Sequence, residues 1–214
     1  EKSFDEAFDD VESFVDTIET EFYILSDKKD GQGLVGAAEL VKTSIDKLTE
    51  LFHNKPETTG VGSGFTMLDK MTSGFQPGEL TIIAARPSMG KTAFSLNIAQ
   101  HAAVQLGKSV AYFSVEMAKD QLMMRLLASE ARINLSDLRV GNIQDSAWPR
   151  LIDKASKLAD TKLYIDDSSG ISPFEIRAKA RRLKATHGLD LIMIDYLQLM
   201  DLKQKVESRE RAVS

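Results

Sequence analysis

The sequence predicts an α/β domain with a mainly parallel sheet and flanking helices, preceded by a helical arm. Three observations predict it. Beyond residue 60, short apolar runs bounded by turn residues alternate with helix-length amphipathic segments, the pattern of strand–helix–strand units whose strands lie parallel. Two of those runs end on a carboxylate, Glu116 and Asp195, and a third leads into a Gly-Lys-Thr turn at Gly90, Lys91 and Thr92. The arm is assigned to residues 1–59 and the α/β domain to residues 60–214.

In the arm, Phe4, Ala7, Phe8, Val11, Phe14, Val15, Ile18 and Phe22 recur at steps of three and four, which predicts one long helix with a single apolar stripe. Its other face is acidic, with Asp5, Glu6, Asp9, Asp10, Glu12, Asp16 and Glu19. A loop at 27–33 separates it from a second helix bearing Leu40, Val41, Ile45, Leu48, Leu51 and Phe52. Asn54-Lys55-Pro56 ends that helix, and residues 58–64 read as an unstructured hinge or turn.

The α/β pattern then begins. Residues 80–85 (LTIIAA), led in by Pro77-Gly78, predict a buried strand. A helix over about 92–106 follows, closed by Gly107. Further strands are expected at 109–115, 162–166 and 189–195, with helices at about 119–133, 146–159 and from Ser172. The last opens Ser-Pro-Phe-Glu, placing a hydroxyl at the N-cap and Glu175 three residues on, a capping box.

Composition narrows the function. With 43% hydrophobic and 28% charged residues the 214-residue chain is ordinary for a soluble protein. It has no apolar run long enough to span a membrane and no secretory signal pattern, so a cytoplasmic location without membrane contact is expected. Cysteine is absent and His53, His101 and His187 are scattered, which argues against disulfides, a thiolate nucleophile or a zinc cluster. The net charge of −5 is the wrong sign for coating nucleic acid by bulk electrostatics, so any such contact is expected from a local patch. The chain begins at Glu1 rather than Met and is expected to be a fragment or processed form.

Residues 85–92 read ARPSMGKT. Against the phosphate-loop template G-x-x-x-x-G-K-[ST], Gly90, Lys91 and Thr92 match and Ala85 replaces the first glycine. Backbone amides across Ala85, Arg86, Pro87, Ser88, Met89 and Gly90 are expected to surround phosphate oxygens, Pro87 lacking an N–H. Lys91 is expected to reach the β/γ-phosphates and the Thr92 hydroxyl to ligate Mg²⁺, so ATP and Mg²⁺ are the expected ligands. Ala85 suits the loop if its φ stays negative. Following an apolar run and opening a helix, the tripeptide is a P-loop NTPase signal rather than a chance surface turn.

Asp195 ends four apolar residues, and a carboxylate there faces the crevice where such sheets bind ligands. Given the upstream loop it is assigned to Mg²⁺. Glu116 reads equally as a general base for water or as a solvated strand end. Gln198, three residues past Asp195, reads as a γ-phosphate sensor or as a polar loop residue. Met123, Met124, Leu126, Leu127 and Trp148 read as core, and Arg177, Arg181, Arg182 and Lys184 as a solvated helix face. After Met200, Lys203, Lys205, Arg209 and Arg211 are diluted by Asp201, Glu207 and Glu210. That stretch reads as a polar loop first and a DNA contact second.

Several stretches together resemble the DnaB family of hexameric replicative helicases: TGVGSGFTMLDKMTSGFQPGEL, AARPSMGKTAFSLNIA, FSVEMAKDQLMMRLLASEARI, IDDSSGISPFEIRAKARRLK and LIMIDYLQLM. The resemblance covers about residues 58–200 and implies a RecA-like core, the acidic arm being similar to that family's linker helix, which docks on a neighbouring subunit. It implies that Glu116 is the catalytic glutamate, that Gln198 links the γ-phosphate to DNA-binding loops, and that Arg209 and Arg211 lie in a loop contacting single-stranded DNA. It implies partners too: further copies in a hexameric ring, and primase and a helicase loader through regions mostly absent from this chain, at the nucleoid. The family's N-terminal helical domain, further strands and arginine finger have no counterpart here, so the domain is expected to be C-terminally incomplete. The function implied is ATP hydrolysis coupled to translocation on single-stranded DNA and duplex unwinding in the intact protein, the fragment itself being potentially inactive. The alternatives are a RecA-superfamily ATPase that is not a helicase, recombinase-like or clock-type, and a non-catalytic nucleotide-binding oligomerisation fragment.

Overall fold

The computed structural model describes residue 18 and residues 35–54 and 58–200. The first-helix stripe, apart from Ile18, and the stretch containing Arg209 and Arg211 lie outside the described residues. The chain divides into two compact units, Glu1–Pro56 and Glu57–Ser214. Among the described residues no helix is long and apolar enough to cross a membrane.

In the first unit, helix α1 spans Ala37–Asn54. The periodic apolar residues that predict it leave Leu40, Val41, Ile45, Leu48 and Phe52 all more than half exposed.

The second unit opens with an ordered turn at 58–64, where the sequence reads as an unstructured hinge or a turn. Val61 and Phe75 form an antiparallel bridge across helix α2, Thr66–Thr72. The Asp69 carboxylate accepts the Ser63 and Gly64 amides at 2.8 and 3.2 Å. A Cβ at Gly60 would collide with the Phe75 carbonyl oxygen. Packing and amide capping, neither visible as local periodicity, order the segment.

Residues 80–85 form no strand. Leu80 is 83% and Ile82 70% exposed, so no described layer covers the run and no ladder of backbone hydrogen bonds forms. An apolar sequence reports a demand for burial; pairing also needs a partner.

Helix α3, Lys91–Gln100, continues as a π-helical turn, His101–Gln105. It buries Ser95, Leu96, Ile98, Ala99, Ala102 and Ala103, and the alanines allow close approach to the sheet. Strand β1, Val110–Ser114, is buried throughout. Then come α4 (Lys119–Ala131), α5 (Leu135–Val140), α6 (Trp148–Ala159), β2 (Leu163–Asp166), α7 (Pro173–His187) and β3 (Leu191–Asp195). The sheet order is β2-β1-β3, all parallel.

Because side chains alternate along β1, Val110 and Tyr112 join Leu96, Ala99, Leu122 and Leu126 on one face. Ala111 and Phe113 join Ile171 and Ile176 on the other. Both faces are covered, as parallel sheets require. Leu122 and Leu126 are fully buried, each worth about 1.5–3 kcal/mol.

Helix α7 begins as expected. Ser172 N–H donates to Glu175 Oε2 at 2.7 Å, and Glu175 N–H donates to Ser172 Oγ at 3.3 Å. Trp148 departs from its core assignment at 53% exposed. It stands at the first residue of α6, one turn ahead of Leu151, which packs with Ala128 and Ala131. Met123 likewise faces solvent, whereas Leu126 one turn on is core.

Candidate nucleotide site

Strand β3 delivers Asp195 to the C-terminal edge of the sheet. Its register with β1 runs from Val110↔Leu191 to Ser114↔Asp195, and the Val115 amide extends it by donating to the Asp195 carbonyl at 2.8 Å. At the strand's start, Asp190 Oδ2 accepts the Ser109 amide at 2.8 Å, which fixes the register that places Asp195.

Helix α3 delivers the other half. Gly90 caps it with φ +87°, a left-handed conformation that glycine adopts without Cβ strain. Ser88 is also left-handed, at φ +64°, whereas Ala85 is not among the positive-φ residues, which meets the condition for alanine there. The Met89 amide donates to the Arg86 carbonyl at 3.3 Å to close the turn. No side chain caps α3 and no acidic residue occupies its first turn, so none of its own side chains satisfies its positive end, which suits an anion.

The two halves meet. Thr92 Oγ1 donates to Asp195 Oδ2 at 2.5 Å, and Lys91 Nζ lies 3.3 Å from Asp195 Oδ1. The Lys91 ammonium also sits 3.6 Å from the centroid of the Tyr196 ring, a cation–π contact. Asp195 is 3% exposed, and a carboxylate so buried requires such donors.

Behind it lies a second layer of hydroxyls absent from the sequence reading. Tyr112 Oη is 3.4 Å from Asp195 Oδ2 and 2.8 Å from Ser95 Oγ, and Ser95 Oγ is 3.1 Å from the Thr92 carbonyl. Burial, reinforced by the Asp195 charge, pushes the Tyr112 hydroxyl far above the ordinary phenol range, so it remains a neutral donor. One signal for it existed: a tyrosine inside the buried run VAYFS carries a hydroxyl that needs a partner.

The remaining assigned residues are less engaged. Glu116 follows β1 just beyond the register partner of Asp195, within a tight turn in which Ser114 Oγ donates to the Met117 carbonyl at 2.7 Å. Its carboxylate is exposed. Gln198 lies exposed in a short 3₁₀ turn, Leu197–Leu199. Among the described residues, no hydrogen bond or ion pair joins either side chain to Lys91, Thr92 or Asp195.

A parallel α/β sheet with an uncapped helix and an acidic strand end converging at its edge defines a RecA-like P-loop domain. The profile of the DnaB-like helicase C terminal domain family matches residues 60–214. The chain belongs to that family. It is 42% identical over 207 residues to the replicative DNA helicase DnaC of Bacillus subtilis (strain 168), spanning 96% of this chain and 46% of that protein. It is 41% identical over 208 residues to the replicative DNA helicase DnaB of Geobacillus stearothermophilus, again 96% of this chain and 46% of the relative. The chain thus spans about half the length of these relatives. Among solved structures, one described as an ATPase domain superposes with a TM-score of 0.73 at 32% identity, covering 80% of this chain and 62% of that one. A DnaB-like replicative helicase described with its interactions with primase gives 0.72 at 30% identity, covering 89% and 46%.

Proposed function

We propose that this chain is the motor portion of a replicative DNA helicase, binding ATP with Mg²⁺ and coupling its hydrolysis to movement along single-stranded DNA. The observation that carries this reading is the convergence of Lys91 and Thr92 on Asp195 at the uncapped start of α3, in a chain of the DnaB-like family.

The donor set suits Mg²⁺. Thr92 and Asp195 offer hard oxygens in direct contact. Among the described residues no group of three or more His, Cys, Asp or Glu stands ready to hold a metal alone. That matches a cation held by one or two protein oxygens and substrate phosphates. When bound, Mg²⁺ neutralises charge on the β- and γ-phosphate oxygens.

The chain's own groups then divide the work. Backbone amides from 85 to 92, Pro87 excepted, cradle the phosphates, and Lys91 leaves Asp195 to meet them. Glu116, exposed at the same sheet edge, orients the attacking water, and Gln198 senses the γ-phosphate. Arg209 and Arg211 contact single-stranded DNA. The arm of residues 1–59 docks on a neighbouring copy, its apolar stripe requiring cover, in a hexameric ring. Primase and a loader are partners of the whole protein, which works in the cytoplasm at the nucleoid.

The test uses the full-length protein. ATP hydrolysis stimulated by single-stranded DNA and unwinding of a forked duplex are expected, both abolished by Lys91→Ala. Hydrolysis without unwinding would assign a RecA-like ATPase of another kind. ADP affinity unchanged by Lys91→Ala would remove the nucleotide site itself.

A further inference from the structure

We propose that Tyr112 and Ser95 form a switchable hydroxyl pair that holds the Asp195 carboxylate in place when Lys91 leaves it. Tyr112 is thereby a positioning residue for the metal. The inference rests on the nucleotide reading above and deepens it.

Proton counting leads to it. Two hydroxyls carry two protons, yet three contacts depend on them: Ser95 to the Thr92 carbonyl at 3.1 Å, Ser95 with Tyr112 at 2.8 Å, and Tyr112 to Asp195 at 3.4 Å. Only two can be made at once. In the structure Asp195 already receives Thr92 and Lys91, and its contact with Tyr112 is the longest of the three. All three contacts lie within hydrogen-bond reach, and in the proposed arrangement the two shorter ones take the protons of this state, Tyr112 donating to Ser95 and Ser95 to the Thr92 carbonyl.

A phosphate that draws Lys91 away leaves Asp195, 3% exposed, without its cation. Rotation of both hydroxyls then restores a donor. Ser95 turns its proton to the Tyr112 oxygen, and Tyr112 turns its own to Asp195 Oδ2. Each proton stays on its oxygen and no covalent bond changes. The Thr92 carbonyl keeps its place in the α3 ladder. Tyr112 itself cannot withdraw: it is fully buried in β1, paired in register with Met193 of β3. The carboxylate thus keeps its orientation between Lys91 departing and a cation arriving.

The relay predicts unlike effects for its two members. Tyr112→Phe keeps the ring and removes the reserve donor to Asp195. Ser95→Ala leaves the Tyr112 proton no acceptor but Asp195. Calorimetric titration of this chain with ADP across a Mg²⁺ series, beside thermal unfolding without ligand, reads both. Tyr112→Phe is expected to weaken metal-free ADP binding about tenfold or more, the weight of one hydrogen bond to a charged group, because the pair supplies its donor while phosphate is bound and the cation is absent. Ser95→Ala is expected to leave metal-free ADP affinity within about twofold, a difference below one such bond. Metal-free ADP affinity unchanged in Tyr112→Phe overturns the proposal. So do equal shifts in both variants, or a Tyr112→Phe protein that no longer folds, since each makes the hydroxyls structural only. A wild-type chain that binds ADP identically with and without Mg²⁺ removes the underlying metal site as well, and is told apart by needing no variant.

Discussion

Thr92 and Asp195 stand 103 residues apart in sequence and 2.5 Å apart in space. One begins a helix and the other ends a strand, so their contact reports the correct docking of α3 on β3. Asp195→Ala is expected to abolish the Mg²⁺-dependent part of ADP affinity, about 10- to 100-fold, as a lost charge-assisted contact does. Calorimetry with and without Mg²⁺ checks it. Metal-free binding should change far less, because Lys91 is then released to the phosphates.

Glu116 is exposed, which suits a group that acts on water rather than one that holds the fold. Glu116→Gln in the full-length protein should lower ATP turnover about 10²- to 10⁴-fold while leaving the ADP dissociation constant and thermal midpoint unmoved. Steady-state hydrolysis beside equilibrium binding decides it. Unchanged turnover would assign the water to another residue.

Acid stability follows from two aspartates. Burial works upward on Asp69, but the Ser63 amide and hydroxyl and the Gly64 amide outweigh it and hold the carboxyl below its usual range. Burial at Asp166 is likewise outweighed by Lys179 and Ser168. A folded-state value below the unfolded one means that both stabilise the fold above the unfolded value of about 4. That stability is lost as pH falls through the folded value. The thermal midpoint should therefore drop steeply below about pH 4, and Asp69→Asn should flatten that fall while lowering the midpoint at neutral pH.

Gly60 faces the Phe75 carbonyl oxygen with no room for a Cβ between them. Gly60→Ala is expected to destabilise the second unit by about 1–3 kcal/mol, the usual cost of overpacking. Denaturant unfolding measures it directly.

Much of this arrangement was legible because it is local. LIMID announces a buried strand ending in an acid, and GKT before an amphipathic segment announces the start of α3. The capping box at Ser172 was readable letter by letter. The misreadings share a cause, dependence on neighbours distant in sequence. Burial of residues 80–85 needs a covering layer, and that of Trp148 depends on where α6 first meets α4. Tyr112 reaches Asp195 only because β1 lies beside β3 as well as β2, an order no periodicity encodes. Glu116 and Gln198 are read from their spacing to strand ends, which puts them near the edge that carries Asp195 without fixing where their side chains point.

The uncovered run at 80–85 bears on how the isolated chain behaves at the bench. Leu80 and Ile82 present grease to water immediately upstream of the phosphate loop, and β3 is an open margin of the sheet among the described residues. Unpaired margins recruit other strands. Protein concentration thus becomes a hidden variable in any affinity measured on this chain, and a dilution series belongs beside each titration.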